Sequence, residues 1–113
     1  MKEKLNGNRK VNNSNQLSLQ MYQDGQSIAQ IATERGLAES TINNHLAYYV
    51  ATDVLQLSDF VSADRVRNVV DAIKADGRFK HLAPIKGLLP DDYTYSEIRM
   101  VLEHYKTHHD MYN

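Results

Sequence analysis

Apolar residues recur along this chain at spacings of three and four, the period of amphipathic helices. Leu17, Leu19, Met21 and Tyr22 predict a first helix over about Asn15 to Asp24. Ser27 and Gln30 then stand three residues apart, the spacing at which side chain and backbone cap each other at a helix start. They predict a second helix over Ile28 to Arg35, with Ile28 and Ile31 in the core and Ala29 and Ala32 small where a neighbour must approach closely. Gly36 can take the positive φ that ends such a helix. Ile42, Leu46, Tyr49 and Val50, at i, i+4, i+7 and i+8, mark one face of a third helix over about Glu39 to Thr52. Leu55 to Val61 forms a link. Ser62 is expected to cap a fourth helix, Ala63 to Ala75, with Val66, Val69, Val70 and Ile73 as its stripe and Gly77 as its stop. Leu82, Ile85, Leu88 and Leu89 outline a short fifth helix, with Pro84 tolerated in its first turn and Pro90 beyond its end. Thr94 and Glu97 repeat the capping spacing ahead of Ile98, Val101, Leu102 and Tyr105. No window alternates long enough for a strand. The expected fold class is all-α, a compact bundle of about six helices without internal repeats.

The second and third helices, joined by a short turn containing Gly36, have the form of a helix-turn-helix, a unit many proteins use to read nucleic acid. At 113 residues the chain supports one domain. We expect a polar leader or inter-domain linker over residues 1–15, which suggests a domain taken from a longer protein. A single helical domain is expected over 16–108 (a helix-turn-helix half, 16–54, and a second helical half, 55–108), then a tail over 109–113. With no cysteine in the chain, disulfides, thiolate zinc sites and cysteine nucleophiles are excluded. No run approaches the ~20 apolar residues of a membrane span. A cytoplasmic setting and no membrane partner are expected.

Formal net charge is −1, without the basic surplus usual in dedicated DNA binders. The distribution says more. Residues 1–20 carry net +3, 21–64 net −5, 65–89 net +4 and 90–113 net −3. From Gly36 to Asp64 there is no Lys or Arg.

Two surfaces are therefore candidates for DNA. The start of the third helix would present Glu39, Ser40, Thr41, Asn43, Asn44 and Tyr48; Asn can pair with adenine, and Ser or Thr with bases or phosphates. Its plainer reading is a solvated face, since Glu39 repels phosphate. The basic set Arg65, Arg67, Lys74, Arg78, Lys80 and Lys86 is the better electrostatic candidate. Arg67, Lys74 and Arg78, at i, i+7 and i+11, fall close to one line opposite the Val/Ile stripe, where they could track a backbone or a single strand. Asp71 and Asp76 make an ordinary charged face the alternative. The tail cations Lys2, Lys4, Arg9 and Lys10 would add to the strip.

His104 and His108 have the i, i+4 spacing of two metal ligands, but only Glu103 and Asp110 lie near them in sequence, so no metal is expected. His45 beside Leu46 reads as a half-buried packing residue. Of the seven tyrosines, Tyr22, Tyr49 and Tyr105 fall on core faces, Tyr48 outside, and Tyr93 and Tyr95 beside the Thr94 cap. Asp91-Asp92 is explained by turn chemistry. No spacing assembles a catalytic site.

Several stretches resemble a known family. They are Gly25 to Ala32, Arg35 to Leu46, Phe60-Val61-Ser62, the run from Pro84 to Pro90, and Tyr93 to Leu102. Together, over roughly Gln16 to Tyr105, they resemble the helix-turn-helix domain at the C-terminus of bacterial RecQ-type ATP-dependent DNA helicases. The first half alone is also similar to the DNA-binding domain of LuxR-type regulators, so that half is expected to be winged-helix-like or LuxR-like and tri-helical. The second half does not continue as those regulators do. The resemblance implies an accessory domain whose parent unwinds DNA in repair and recombination with ATP and Mg²⁺. The chain itself has no Gly-x-x-x-x-Gly-Lys-Ser/Thr loop, and neither enzymatic activity nor a cofactor is expected of it. Expected partners are DNA, single-stranded or forked rather than specific duplex, and other domains of the parent or a repair protein. The alternatives are a LuxR-like regulator's DNA-binding domain and a protein-interaction module.

Overall fold

Ser27 and Thr94 start their helices as their neighbours in sequence require. Ser27 Oγ accepts a hydrogen bond from the Gln30 amide (3.1 Å), while Gln30 Oε1 accepts one from the Ser27 amide (2.8 Å). At Thr94, Oγ1 accepts from the Glu97 amide (3.1 Å) and Glu97 Oε1 accepts from the Thr94 amide (3.0 Å). Each box satisfies two amides that a helix start would otherwise leave without partners. The computed structural model describes residues 13–77 and 81–112. Among these it has six α-helices and no strand: α1 (Asn13–Gln23), α2 (Ile28–Arg35), α3 (Glu39–Ala51), α4 (Ala63–Asp76), α5 (Leu82–Lys86) and α6 (Tyr95–His108). Short 3₁₀ turns occupy Leu57–Asp59 and His109–Tyr112. No helix among the described residues is long and apolar enough to cross a membrane.

The chain divides into two units, one ending at Leu46 and the other beginning at Ala47, so the division falls within α3. In the first unit α1 packs on α2, and Met21, Ile31, Ala32, Ile42 and Leu46 are buried. Gly36, at φ +69°, ends α2, its amide donating back to the Ala32 and Thr33 carbonyls. Two core expectations fail here. Ala29 is exposed and Ile28 only half-buried, because the eight-residue α2 buries just the stripe through Ile31 and Ala32.

In the second unit α4, α5 and α6 pack on one another. Val69, Val70 and Ile73 of α4, Ile85 of α5, and Ile98, Val101 and Leu102 of α6 are buried among them, with Val50, Leu55 and Val61 also buried in this unit. Ser62 occupies the cap position of α4 in extended backbone, but its side chain makes no capping hydrogen bond, so the expected cap is positional only. Gly77, at φ +77°, ends that helix. The fifth helix is shorter than Leu82 to Leu89. It closes at Lys86, with the Gly87 amide donating to Ala83 and that of Leu88 to Ile85, which leaves Leu88 in the following turn and exposed. Asp53 is the one non-glycine residue with positive φ (+67°) among those described. It ends α3, and the amides of Val54 and Leu55 turn back to the Tyr49 carbonyl.

Candidate nucleic-acid interface

The first unit presents the turn and the N-terminal turns of α3. Glu39, Ser40 and Asn44 are exposed and Thr41 is partly so. Tyr48, further along the same helix, is 53% exposed. Asn43 is not on this face. It is only 4% exposed, because it shares a helix face with the buried Ala47 and Val50, four and seven residues on, so it is withdrawn from the base-reading set.

Arg35 is the one cation between residues 21 and 64, and it is directed inward. Its Nη1 donates to the Ser14 carbonyl (2.8 Å) and to Ser18 Oγ (2.6 Å), and its Nη2 donates to Ser14 Oγ (2.9 Å). Ser18 is fully buried and also contacts His45 Nδ1 at 2.8 Å. Burial, together with the Arg35 charge, holds His45 below the ordinary histidine range. A neutral ring takes the Ser18 proton at Nδ1 and keeps its own on Nε2. Three helices are thereby tied by one guanidinium and one hydroxyl. The face that a helix-turn-helix turns toward DNA keeps Ser, Thr and Asn donors but no cation among the described residues.

The basic set of the second unit separates in the same way. Arg65 is held by Glu97 through two hydrogen bonds of 2.9 Å and by Asp92 at 3.1 Å, and its guanidinium lies 3.8 Å from the centroid of the buried Tyr93 ring. These carboxylates push the Arg65 pKa further upward. Burial pushes the Glu97 carboxyl up, but hydrogen bonds from Arg65 and the Thr94 amide outweigh it, and the net shift is downward. Arg65 is therefore withdrawn from the phosphate-binding set, because its charge is matched within the fold. Lys86 donates to the Tyr93 carbonyl at 2.8 Å and lies 5.6 Å from the Tyr95 ring centroid, so it too is engaged locally. Lys74 is exposed and donates to the Tyr112 carbonyl. Arg67 makes a solvent-exposed i, i+3 pair with Asp64 (3.1 Å), a kind of contact that contributes little and yields readily. Arg67 and Lys74 thus remain as accessible cations on α4. Arg78 and Lys80, and the tail cations Lys2, Lys4, Arg9 and Lys10, lie outside the described residues.

The depressed Glu97 value has a consequence in acid. Its stabilising contribution is complete above the unfolded-state value (about 4.3) and is lost as pH falls through the lower folded-state value. Urea denaturation stepped from about pH 6 to pH 3 should show stability falling with acidity, and Glu97→Gln should flatten that slope. An unchanged slope would mean that the Arg65–Glu97 pair is not maintained in solution.

His104 and His108 of α6 have a carboxylate partner that their sequence neighbours did not suggest. It is Asp53, whose Oδ2 lies 2.8 Å from His108 Nε2, rather than Glu103 or Asp110. Its hydrogen bond raises the His108 pKa, while burial and the neighbouring His108 lower that of His104.

A family model described as a helix-turn-helix domain matches residues 14–102. No curated protein matches the chain. No solved structure matches it.

Proposed function

Because the chain belongs to this family of helix-turn-helix domains, a membership consistent with nucleic-acid binding, we propose that it is an accessory nucleic-acid-binding or docking domain of a RecQ-type, ATP-dependent DNA helicase. The observation that carries this reading is the resemblance of Pro84 to Pro90 and Tyr93 to Leu102 to the helicase domain. The helix-turn-helix family match runs on from α1 to α3 across α4 and α5 into α6, further than a three-helix reading head needs. In this reading the chain performs no catalysis. The parent's motor supplies unwinding with ATP and Mg²⁺, and this domain supplies grip.

Arg67 and Lys74 sit seven residues apart on α4, two turns along one side of a helix. Each neutralises a phosphate, and with it releases counterions; neither reads a base. The neutral and acidic side chains that open α3 add little attraction, so duplex sequence is not read there. The same cation-free face favours a second reading, in which α3 docks a protein partner.

Fluorescence anisotropy with single-stranded, duplex and forked DNA, from low to near-physiological salt, tests both. We expect salt-sensitive binding that prefers single-stranded or forked DNA. Arg67→Glu/Lys74→Glu should weaken it and reduce the slope of log affinity against log salt by roughly two, about one per phosphate contact. Ser40→Ala/Asn44→Ala should leave it unchanged. Loss with the second pair, together with a duplex preference, would restore a LuxR-like base reader. No binding of any form at low salt would overturn the DNA reading and leave partner docking.

A further inference from the structure

Three side chains of metal-ligating type converge at the C-terminal end of α6, in a cluster that the proposed role in DNA binding does not use. His104 and His108 stack with ring centroids 4.1 Å apart and planes within 5° of parallel. Asp53 brings its carboxylate to the same place, and one ligand atom from each of the three lies within 4.8 Å of the others. We propose that Asp53, His104 and His108 form a binding site for a divalent transition-metal ion, with Zn²⁺ the best match.

The surroundings of the two rings support this assignment. A metal-bound imidazole characteristically fixes its second nitrogen on a carbonyl, hydroxyl or carboxylate, which sets the tautomer and the ring plane. Here His108 Nδ1 lies 3.1 Å from the His104 carbonyl and 2.7 Å from Thr107 Oγ1. His104 Nδ1 lies 2.6 Å from the Tyr112 hydroxyl, and Thr107 Oγ1 donates on to the Ala51 carbonyl at 2.9 Å. With both Nδ1 atoms engaged, Nε2 is the natural ligand atom of each ring. Two Nε2 atoms and a carboxylate oxygen suit zinc among the common divalent ions, since imidazole is a poor ligand for Mg²⁺ or Ca²⁺. At Zn–N and Zn–O distances of about 2.0–2.2 Å, ligand atoms sit roughly 3.3–3.6 Å apart in a tetrahedron. His108 and Asp53 already approach to 2.8 Å, and the stacked rings must rotate out of their parallel planes for both Nε2 lone pairs to meet one ion. The end of α6 adds a favourable field, because the last carbonyls of a helix carry partial negative charge. Three protein ligands leave a fourth position for water or for a donor from a partner.

Isothermal titration calorimetry of the full chain with ZnCl₂, and visible absorption with CoCl₂ as a spectroscopic substitute, test the site. The expected result is one saturable equivalent of Zn²⁺ and tetrahedral Co²⁺ absorption bands that Zn²⁺ displaces. Asp53→Asn and His108→Gln should each weaken binding at least tenfold; Asn tolerates the left-handed backbone of position 53, whose side chain is 68% exposed, and circular dichroism checks that the His108 variant, at a side chain only 17% exposed, remains folded. His109→Gln, one residue beyond the site, should bind as the unaltered chain does. Failure to bind a saturable equivalent would overturn the proposal. So would undiminished affinity in both Asp53→Asn and His108→Gln, or a loss confined to His109→Gln.

Discussion

Leu102→Ala should destabilise the second unit by about 3 kcal/mol, and lower its melting temperature by roughly 10–20 °C, the scale of a fully buried leucine truncated in a domain of this size. Leu102 is completely inaccessible on α6, the helix that packs on both α4 and α5. Alanine keeps the helix propensity of the position, so the loss would come from transfer and cavity terms alone. Against a total stability of roughly 5–15 kcal/mol for a whole domain, that is a large share. Thermal and urea denaturation followed by circular dichroism would measure it. A cost below about 1 kcal/mol would show that the second unit closes around the missing side chain, and would remove α6 from the centre of its core.

Arg35→Met should cost about 2 kcal/mol and act on the first unit. Methionine preserves the aliphatic stem and the helix propensity of arginine. What disappears is a guanidinium making three hydrogen bonds, two to Ser14 and one to Ser18. Charge-assisted bonds of this kind contribute about 1.5–3 kcal/mol, and the buried Ser18 hydroxyl would lose its donor. Ser18→Ala removes the other side of that contact. Applied together, the two should cost less than the sum of the separate losses, by at least about 0.5 kcal/mol, since the second change no longer breaks the shared bond. Removing the Arg35 charge should also move the His45 pKa upward by NMR titration, although burial, the larger cause of its depression, would remain. Strict additivity, or an unmoved His45, would mean that the three side chains do not form one network.

Most of the helical framework is legible from local spacing. The two capping boxes and the stops at Gly36 and Gly77 depend on residues three or four apart, and the structure realises all four. The errors also have local causes. Position 62 carries the right residue type for a cap, yet a hydroxyl that does not turn back leaves only the position. Asn43 has the polarity of a surface residue but lies between Val50 and Ala47 around the helix, both buried, so the buried arc covers Asn43 as well. What could not be read from spacing is which charges are already matched. Arg65 meets Asp92 and Glu97 across 27 and 32 residues, Arg35 meets Ser14 across 21, and Asp53 meets His108 across 55. Those pairings follow from helix packing, to which a net charge summed along the chain is blind. Of the four strip cations among the described residues, only Arg67 and Lys74 are thus left accessible.

Helix α3 passes through the division between Leu46 and Ala47 without interruption. For anyone expressing the parts separately, the place where contacts thin out is therefore the wrong place to cut. A fragment ending at Leu46 would expose up to four main-chain carbonyls that now accept hydrogen bonds from the next turn, and its partner would begin with up to four amides left without acceptors. Fragments meant to preserve α3 should run on through the Asp53 turn, where the Val54 and Leu55 amides already close the helix end onto Tyr49.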